Sequence, residues 1–200
     1  MAPIARTIRE QVTQKIRDDL VAGVFVDGQA LRESDLAERF GVSRGPVRDA
    51  FLQLRHEGFL VYEANRGVTV REAPNGENRE FIISLRTQIE CFAVQRGCSR
   101  VTAEARERIG GVLDELKFAC EQDDVAAVAR CDMAFHQTFL EAVGAQDFLV
   151  IWKGLCSQMM LAYSQMDDYM QVYGEHVAIA EGFVAGDQEM VCRRIKENIR

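Results

Sequence analysis

Proline is scarce, with three in 200 residues. Few ring-locked residues leave long helices uninterrupted, because an interior proline removes a backbone donor and clashes with the preceding turn. Histidine is as rare: His56, His136 and His176 are all there are, so any imidazole chemistry must use them. The six cysteines, Cys91, Cys98, Cys120, Cys131, Cys156 and Cys192, form no C-x-x-C pair. Neither a zinc ribbon nor a thioredoxin-like site is signalled, and cysteines in apolar helical segments are expected as reduced core residues. Long apolar runs are missing too. The stretch MAPIARTIREQVTQKIRDDL is charged throughout, without the apolar centre of a signal peptide. Gly154 to Met166, the longest uncharged run in the apolar C-terminal part, is too short and too polar to span a bilayer. The expectation is a cytoplasmic protein with no membrane partner.

What is present is ordinary for a globular chain: 48% hydrophobic and 28% charged residues. The net charge of -7 seems to argue against nucleic acid. Its distribution reverses that. Residues 1–72 carry eleven Lys/Arg and eleven Asp/Glu, whereas residues 73–200 carry thirteen and twenty. All the acidity lies in the second part, so the first can form a local basic face.

Apolar residues at Ile4, Ile8, Val12, Ile16 and Leu20 predict an amphipathic helix over 4–21. VFVDGQALRE is a connector with a turn at Asp27-Gly28. A second helix starts near Glu33 or Ser34, packs Leu36, Ala37 and Phe40, and stops at Gly41. Ser43 is placed to cap a third helix with its hydroxyl, and Pro46 falls in the first turn, where its missing N–H costs nothing. That helix runs to about His56 and buries Val47, Ala50, Phe51 and Leu54. Alternation in FLVYE and GVTV around Asn65-Arg66-Gly67 predicts a hairpin. Helix, helix, tight turn, helix, hairpin is the order of a winged helix-turn-helix.

EAPNGEN, residues 72–78, changes the pattern. It suggests a DNA-binding domain at 1–72, a linker at 73–78 and a second domain at 79–200. The second domain reads as helices over 77–99, 102–122, 124–143, 147–171, 174–185 and 187–200, an all-α antiparallel bundle. The fold class is therefore mainly α.

In the first domain, the third helix has the width to enter a major groove, and its first residues approach the bases. Arg44 and Arg48 lie one turn apart there, and arginine is the usual bidentate partner of guanine. Gly45 sits between them, and Ser43 would leave backbone amides facing a phosphate. Arg32 is placed for a backbone contact, and Arg66 at the hairpin tip for a minor groove. Taken singly, each arginine is equally well a solvated surface residue. ALRESDLAERFGVSRGPVRDAFLQLRHEGFLVYEANRGVTV resembles the DNA-binding domain of the GntR family of bacterial transcription regulators. The likeness covers about 65 residues from Ile8 to Val70, with Asp27-Gly28 where the family usually has Pro-Gly. It implies a homodimer on palindromic operator DNA, recognition arginines at Arg44 and Arg48, and a wing glycine at Gly67.

In the second domain, Asp132 and His136 are spaced i, i+4, and His176 lies on a later helix. Converging inside a bundle, they would hold a divalent metal such as zinc, nickel or manganese. Left on a helix surface, Asp132 and His136 make only a local pair. SLRTQIECFAVQRG, the Asp132-x-x-x-His136 pair and HVAIAEGFVAGDQEMV are similar to the FCD class of GntR regulators. That resemblance implies a metal site of one Asp and three His. Asp132, His136 and His176 match three ligands, and the fourth position falls on Asn198, an amide where the class has an imidazole. It also implies an effector pocket in mid-bundle for a small organic acid. Arg86 is the candidate carboxylate clamp, unless it simply pairs with Glu90. Gln158, Met159, Met160 and Tyr163 are further candidates for its lining, although methionine at helical spacing is more often plain core. An enzyme built on the same metal would lack an evident general base beyond Glu175 or Glu141, so a ligand-responsive regulator is expected rather than an enzyme. A metal-free regulator with a purely organic pocket is the alternative.

Overall fold

The computed structural model describes residues 7–98, 101–166 and 168–199. Ile4, Ser99 and Arg200, which fall in expected elements or breaks, lie outside the described residues. The chain divides into two compact units. One runs to Ala73 and also takes in Ser157–Ser164; the other holds Pro74–Cys156 and the residues from Gln165 on. Among the described residues no helix is long and apolar enough to cross a membrane.

The first unit begins with helix α1, Ile8–Val21. Thr7 and Glu10 cap each other: the Glu10 amide donates to Thr7 Oγ1 (3.3 Å) and the Thr7 amide to Glu10 Oε2 (2.8 Å). Val12, Ile16 and Leu20 are buried as the spacing predicts, but Ile8 is exposed, so the stripe reaches the core one turn late. After α1 come the two-residue strand β1 (Ala30–Leu31), α2 (Glu33–Phe40), α3 (Arg44–Glu57), β2 (Leu60–Glu63) and β3 (Gly67–Val70). Gly41 and Gly58 end α2 and α3 in the left-handed conformation, with φ of 64° and 94°. Val47, Ala50, Phe51 and Leu54 are all buried and anchor α3 to the unit. Strand β1 was not expected. It pairs antiparallel with β3, Leu31 opposite Val68, and gives a sheet of order β1-β3-β2. Two residues are too few to show a period, which is why the connector concealed it.

Then follow α4 (Gly76–Gly97), α5 (Ala103–Glu121), α6 (Val125–Ala142), α7 (Leu149–Met160), α8 (Tyr169–Ala185) and α9 (Gln188–Asn198), all in the second unit except the last turn of α7 from Ser157. Ile109, Leu116, Val128, Phe135, Phe139, Leu140, Trp152, Ile179 and Phe183 are buried and make the core, to which α5, α6 and α8 contribute most. Gly97 is packed so closely on the backbone of Val143 that any Cβ would collide with it. The expected helix 147–171 and the break at Gly174 require correction. Helix α7 stops at Met160, and Gly174 lies inside α8 with open space beside it. The signal for the true start is Asp168, whose carboxylate accepts from the Gln171 amide. An exposed interior glycine only weakens a helix by about 1 kcal/mol relative to alanine. The apolar run through Leu161 and Ala162 hid the real break.

Candidate functional site

Ser43, Arg44, Gly45 and Arg48 lie together at the start of α3, and all are exposed. Ser43 occupies the N-cap position, yet its side chain makes no capping hydrogen bond, contrary to expectation. Its extended backbone (ψ 165°) starts the helix without help from the hydroxyl. Arg48 does not simply project into solvent. Its Nε and Nη2 donate to Glu33, with the shortest contact at 3.0 Å. The Arg48 hydrogen bond and charge hold the Glu33 carboxyl below its usual range. Glu33, first residue of α2 and fifteen positions away, was not foreseen; its role depends on how α2 packs on α3. Arg32 is the exposed N-cap residue of α2. Arg66 donates to Glu63 Oε2 (2.7 Å) and to the Gly28 carbonyl (2.6 Å), so it braces the hairpin against the Asp27-Gly28 turn. Gly67 opens β3 with φ 80°, a conformation that favours glycine.

In the second unit, α6 and α8 bring Asp132, His136 and His176 together, all buried, with their ligand atoms within 4.8 Å of one another. The surface-pair reading of Asp132 and His136 is thereby excluded. His176 Nδ1 donates to the Val172 carbonyl (2.8 Å), which turns Nε2 toward Asp132 Oδ1 (2.8 Å). His136 faces Glu90 Oε2 through Nδ1 (2.7 Å) and Asn198 Oδ1 through Nε2 (3.1 Å). Asn198, the expected fourth position, thus touches one of the three, and its Nδ2 donates to Glu175 Oε2 (3.1 Å).

Glu90 is the hub of the outer layer. It is fully buried and accepts from Arg86 Nε (2.9 Å) and Trp152 Nε1 (2.8 Å) as well as facing His136. Burial alone would raise its carboxyl; the charges of His136 and Arg86 and these hydrogen bonds bring it down to about 2. Burial likewise disfavours a charged His136, and the Glu90 carboxylate outweighs it, raising the imidazole to about 9. Asp132 is held well below its usual range: burial opposes its charge, and His176 and His136 overcome that.

The donor set fits a divalent ion. Two imidazole nitrogens and a carboxylate oxygen converge, and each histidine is oriented by its other nitrogen; the Asn198 amide oxygen lies against His136. Arg86 is buried and ion-paired with Glu90, its guanidinium 5.8 Å from the Trp152 ring centre. Gln158, Met159, Met160 and Tyr163 all fall within Ser157–Ser164, which groups with the first unit. Trp152 was not placed in the site beforehand, and Glu175 was considered only as a general base. The lone tryptophan of an apolar helix carries one available signal, since a buried indole N–H needs an acceptor.

Two family models match. The "bacterial regulatory proteins, gntR family" model covers residues 8–70, and the FCD domain model covers residues 81–200. The transcriptional repressor RspR of Escherichia coli K12 is 28% identical over 141 residues, which is 70% of this chain and 60% of that protein. The chain therefore matches less than two thirds of that relative's length. A probable D-xylose utilization operon transcriptional repressor of Paenarthrobacter nicotinovorans is 27% identical over 192 residues, 92% of this chain and 84% of the other. Among solved structures, McbR/YncC of E. coli superposes with a TM-score of 0.78 at 19% identity, covering 98% of this chain and 94% of that one. At that identity the likeness speaks for the fold alone.

Proposed function

Because the chain belongs to the GntR family of bacterial regulatory proteins and carries an FCD domain, we propose that it is a ligand-responsive transcriptional repressor. Helix α3 reads palindromic operator DNA as part of a homodimer, with Arg44 and Arg48 on base edges beside Gly45, with Arg32 and Ser43 toward the backbone, and with Arg66 at the hairpin tip, next to the wing glycine Gly67, in a minor groove. The FCD domain senses a small organic acid. The observation that carries this reading is the buried convergence of Asp132, His136 and His176 in a chain that also carries a DNA-binding domain of recognised type. A bound divalent ion would be held by these three and by Asn198, and would supply a Lewis-acid anchor for a carboxylate. Arg86 and Glu90 orient His136; Val172 orients His176. Effector binding then shifts operator affinity through the differential stability of two states of the protein.

Titration with zinc, nickel and manganese, each with and without simple dicarboxylates, tests the sensing half. A ligand that binds only the folded form raises its melting temperature. Salt-dependent binding to the DNA upstream of the neighbouring genes tests the reading half. If Arg44→Ala and Arg48→Ala bind that DNA as well as the parent, α3 is not the reading helix.

A metal-free regulator is the second reading, favoured by one observation. Asn198 Oδ1 on His136 and Asp132 on His176 satisfy the inward nitrogens without an ion. Elemental analysis of the purified protein separates the two. Asn198→His should gain zinc affinity if position 198 is the fourth ligand; no gain counts against that geometry.

A further inference from the structure

Helices α4 and α9 pack against each other in the second unit, and one cysteine from each meets at that contact. Cys91 Sγ lies 3.7 Å from the Cys192 carbonyl oxygen, and Cys192 Sγ lies 3.8 Å from the Cys91 carbonyl oxygen. These reciprocal contacts place the two residues side by side with each thiol over the other's backbone. Close Cα approach is the geometric requirement for a disulfide, which spans about 4.4–6.8 Å between Cα atoms. Both are free thiols, as are the other four cysteines. The pair is asymmetric. Cys91 is buried, and burial together with the neighbouring Cys192 thiol pushes it up to about 12. Cys192 is half-buried and lines a surface cavity of about 570 Å³ with Gln95, Arg193 and Lys196. One thiol is thus protected and the other open to a small reagent.

We propose that Cys91 and Cys192 form a peroxide-responsive dithiol site that closes to a disulfide across α4 and α9. The Cys192 sulfur attacks the O–O bond of a hydroperoxide, which leaves Cys192 as a sulfenic acid and releases water or an alcohol. The Cys91 sulfur then attacks the sulfenic sulfur; the S–S bond forms, the S–O bond breaks, and water leaves with the Cys91 proton. Two thiols are oxidised and one peroxide is reduced. The site adjoins the buried cluster through both helices, since α4 also carries Arg86 and Glu90 and α9 also carries Asn198. A cross-link there fixes the separation of two elements that frame the histidines.

Cys98 gives the main competing outcome. It lies seven residues beyond Cys91, near the end of α4, and is also buried, and Cys192 contributes to raising it. Among the described residues, Cys91 rather than Cys98 shares the reciprocal backbone contacts with Cys192. The test is treatment of the whole reduced protein with a modest excess of hydrogen peroxide, followed by thiol counting and mass mapping of proteolytic fragments. The expected result is a fall from six free thiols to four, a mass loss of two hydrogens, and one cross-linked fragment joining Cys91 to Cys192, all reversed by dithiothreitol. Cys192→Ser should keep its five thiols under the same treatment, while Cys131→Ser, whose half-buried cysteine lies on α6, should still lose two. The melting temperature should rise on oxidation of the parent and not of Cys192→Ser. A cross-link to Cys98, linkage between chains through Cys131, or thiol loss without any cross-link would each overturn the proposal, and the mapping of the unmodified sequence decides this even if a variant folds poorly.

Discussion

The two sites are built on opposite principles. At the start of α3, the candidate DNA contacts lie within six consecutive residues, are exposed, and rest on a core of Val47, Ala50, Phe51 and Leu54 that does not include them. Around His136, the groups come from α4, α6, α7, α8 and α9, are buried apart from the half-buried Asn198, and hold one another in place. Exposed charges contribute little to stability and much to recognition. Buried charges carry a desolvation cost that only their partners offset, so recognition and stability are inseparable in the second site. The contrast predicts that changes at the first site cost binding without cost to the fold, and that changes at the second cost both.

The sharpest break of that contrast is Glu90→Ala. It leaves Arg86, Trp152 and His136 facing a void, and breaking a buried charge network of this kind costs roughly 3–5 kcal/mol. Urea denaturation should show the loss, and a change under 1 kcal/mol would mean the cluster is dispensable to the fold. Arg48→Ala should leave the denaturation midpoint unchanged and weaken operator binding roughly ten- to a hundredfold, the range of one bidentate base contact. Fluorescence anisotropy on labelled DNA reads the affinity, and a stability loss instead would make Arg48 a structural partner of Glu33. A subtler probe is Trp152→Phe, which deletes one donor to Glu90 and keeps most of the ring's packing. An expected loss of about 1–3 kcal/mol reflects an unmade hydrogen bond at a buried carboxylate. The smallest effects separate the two caps of the first unit. Thr7→Ala should cost about 1 kcal/mol, because Thr7 completes a capping box, whereas Ser43→Ala should leave thermal stability unchanged and show only in DNA binding.

The same difference explains what was legible in the residues alone. Helices α2 and α3, their glycine stops and the hairpin follow from local chemistry, so the first unit could be read almost element by element. Its surprises were non-local: β1 needs β3 opposite it, and Glu33 needs α3 beside α2. In the second unit, Asp132 and His136 share a helix and could be paired by spacing, but spacing left open whether they face inward. Nothing local says that Trp152 donates to Glu90, or that Asn198 lies on His136, because those contacts depend on how α4, α7 and α9 pack. The misplaced break between α7 and α8 has the same origin. A glycine in an exposed helix position costs little, while an apolar stretch that leaves a helix gives no warning beyond the capping Asp168.

Isothermal titration of zinc, nickel and manganese into demetallated protein tests the central claim most directly. Saturable binding of one ion per chain by at least one of them is the expected result, lost in Asp132→Ala and in His176→Ala and retained in Arg48→Ala. Absence of binding by all three ions, or equal binding by the parent and the Asp132→Ala variant, would contradict it.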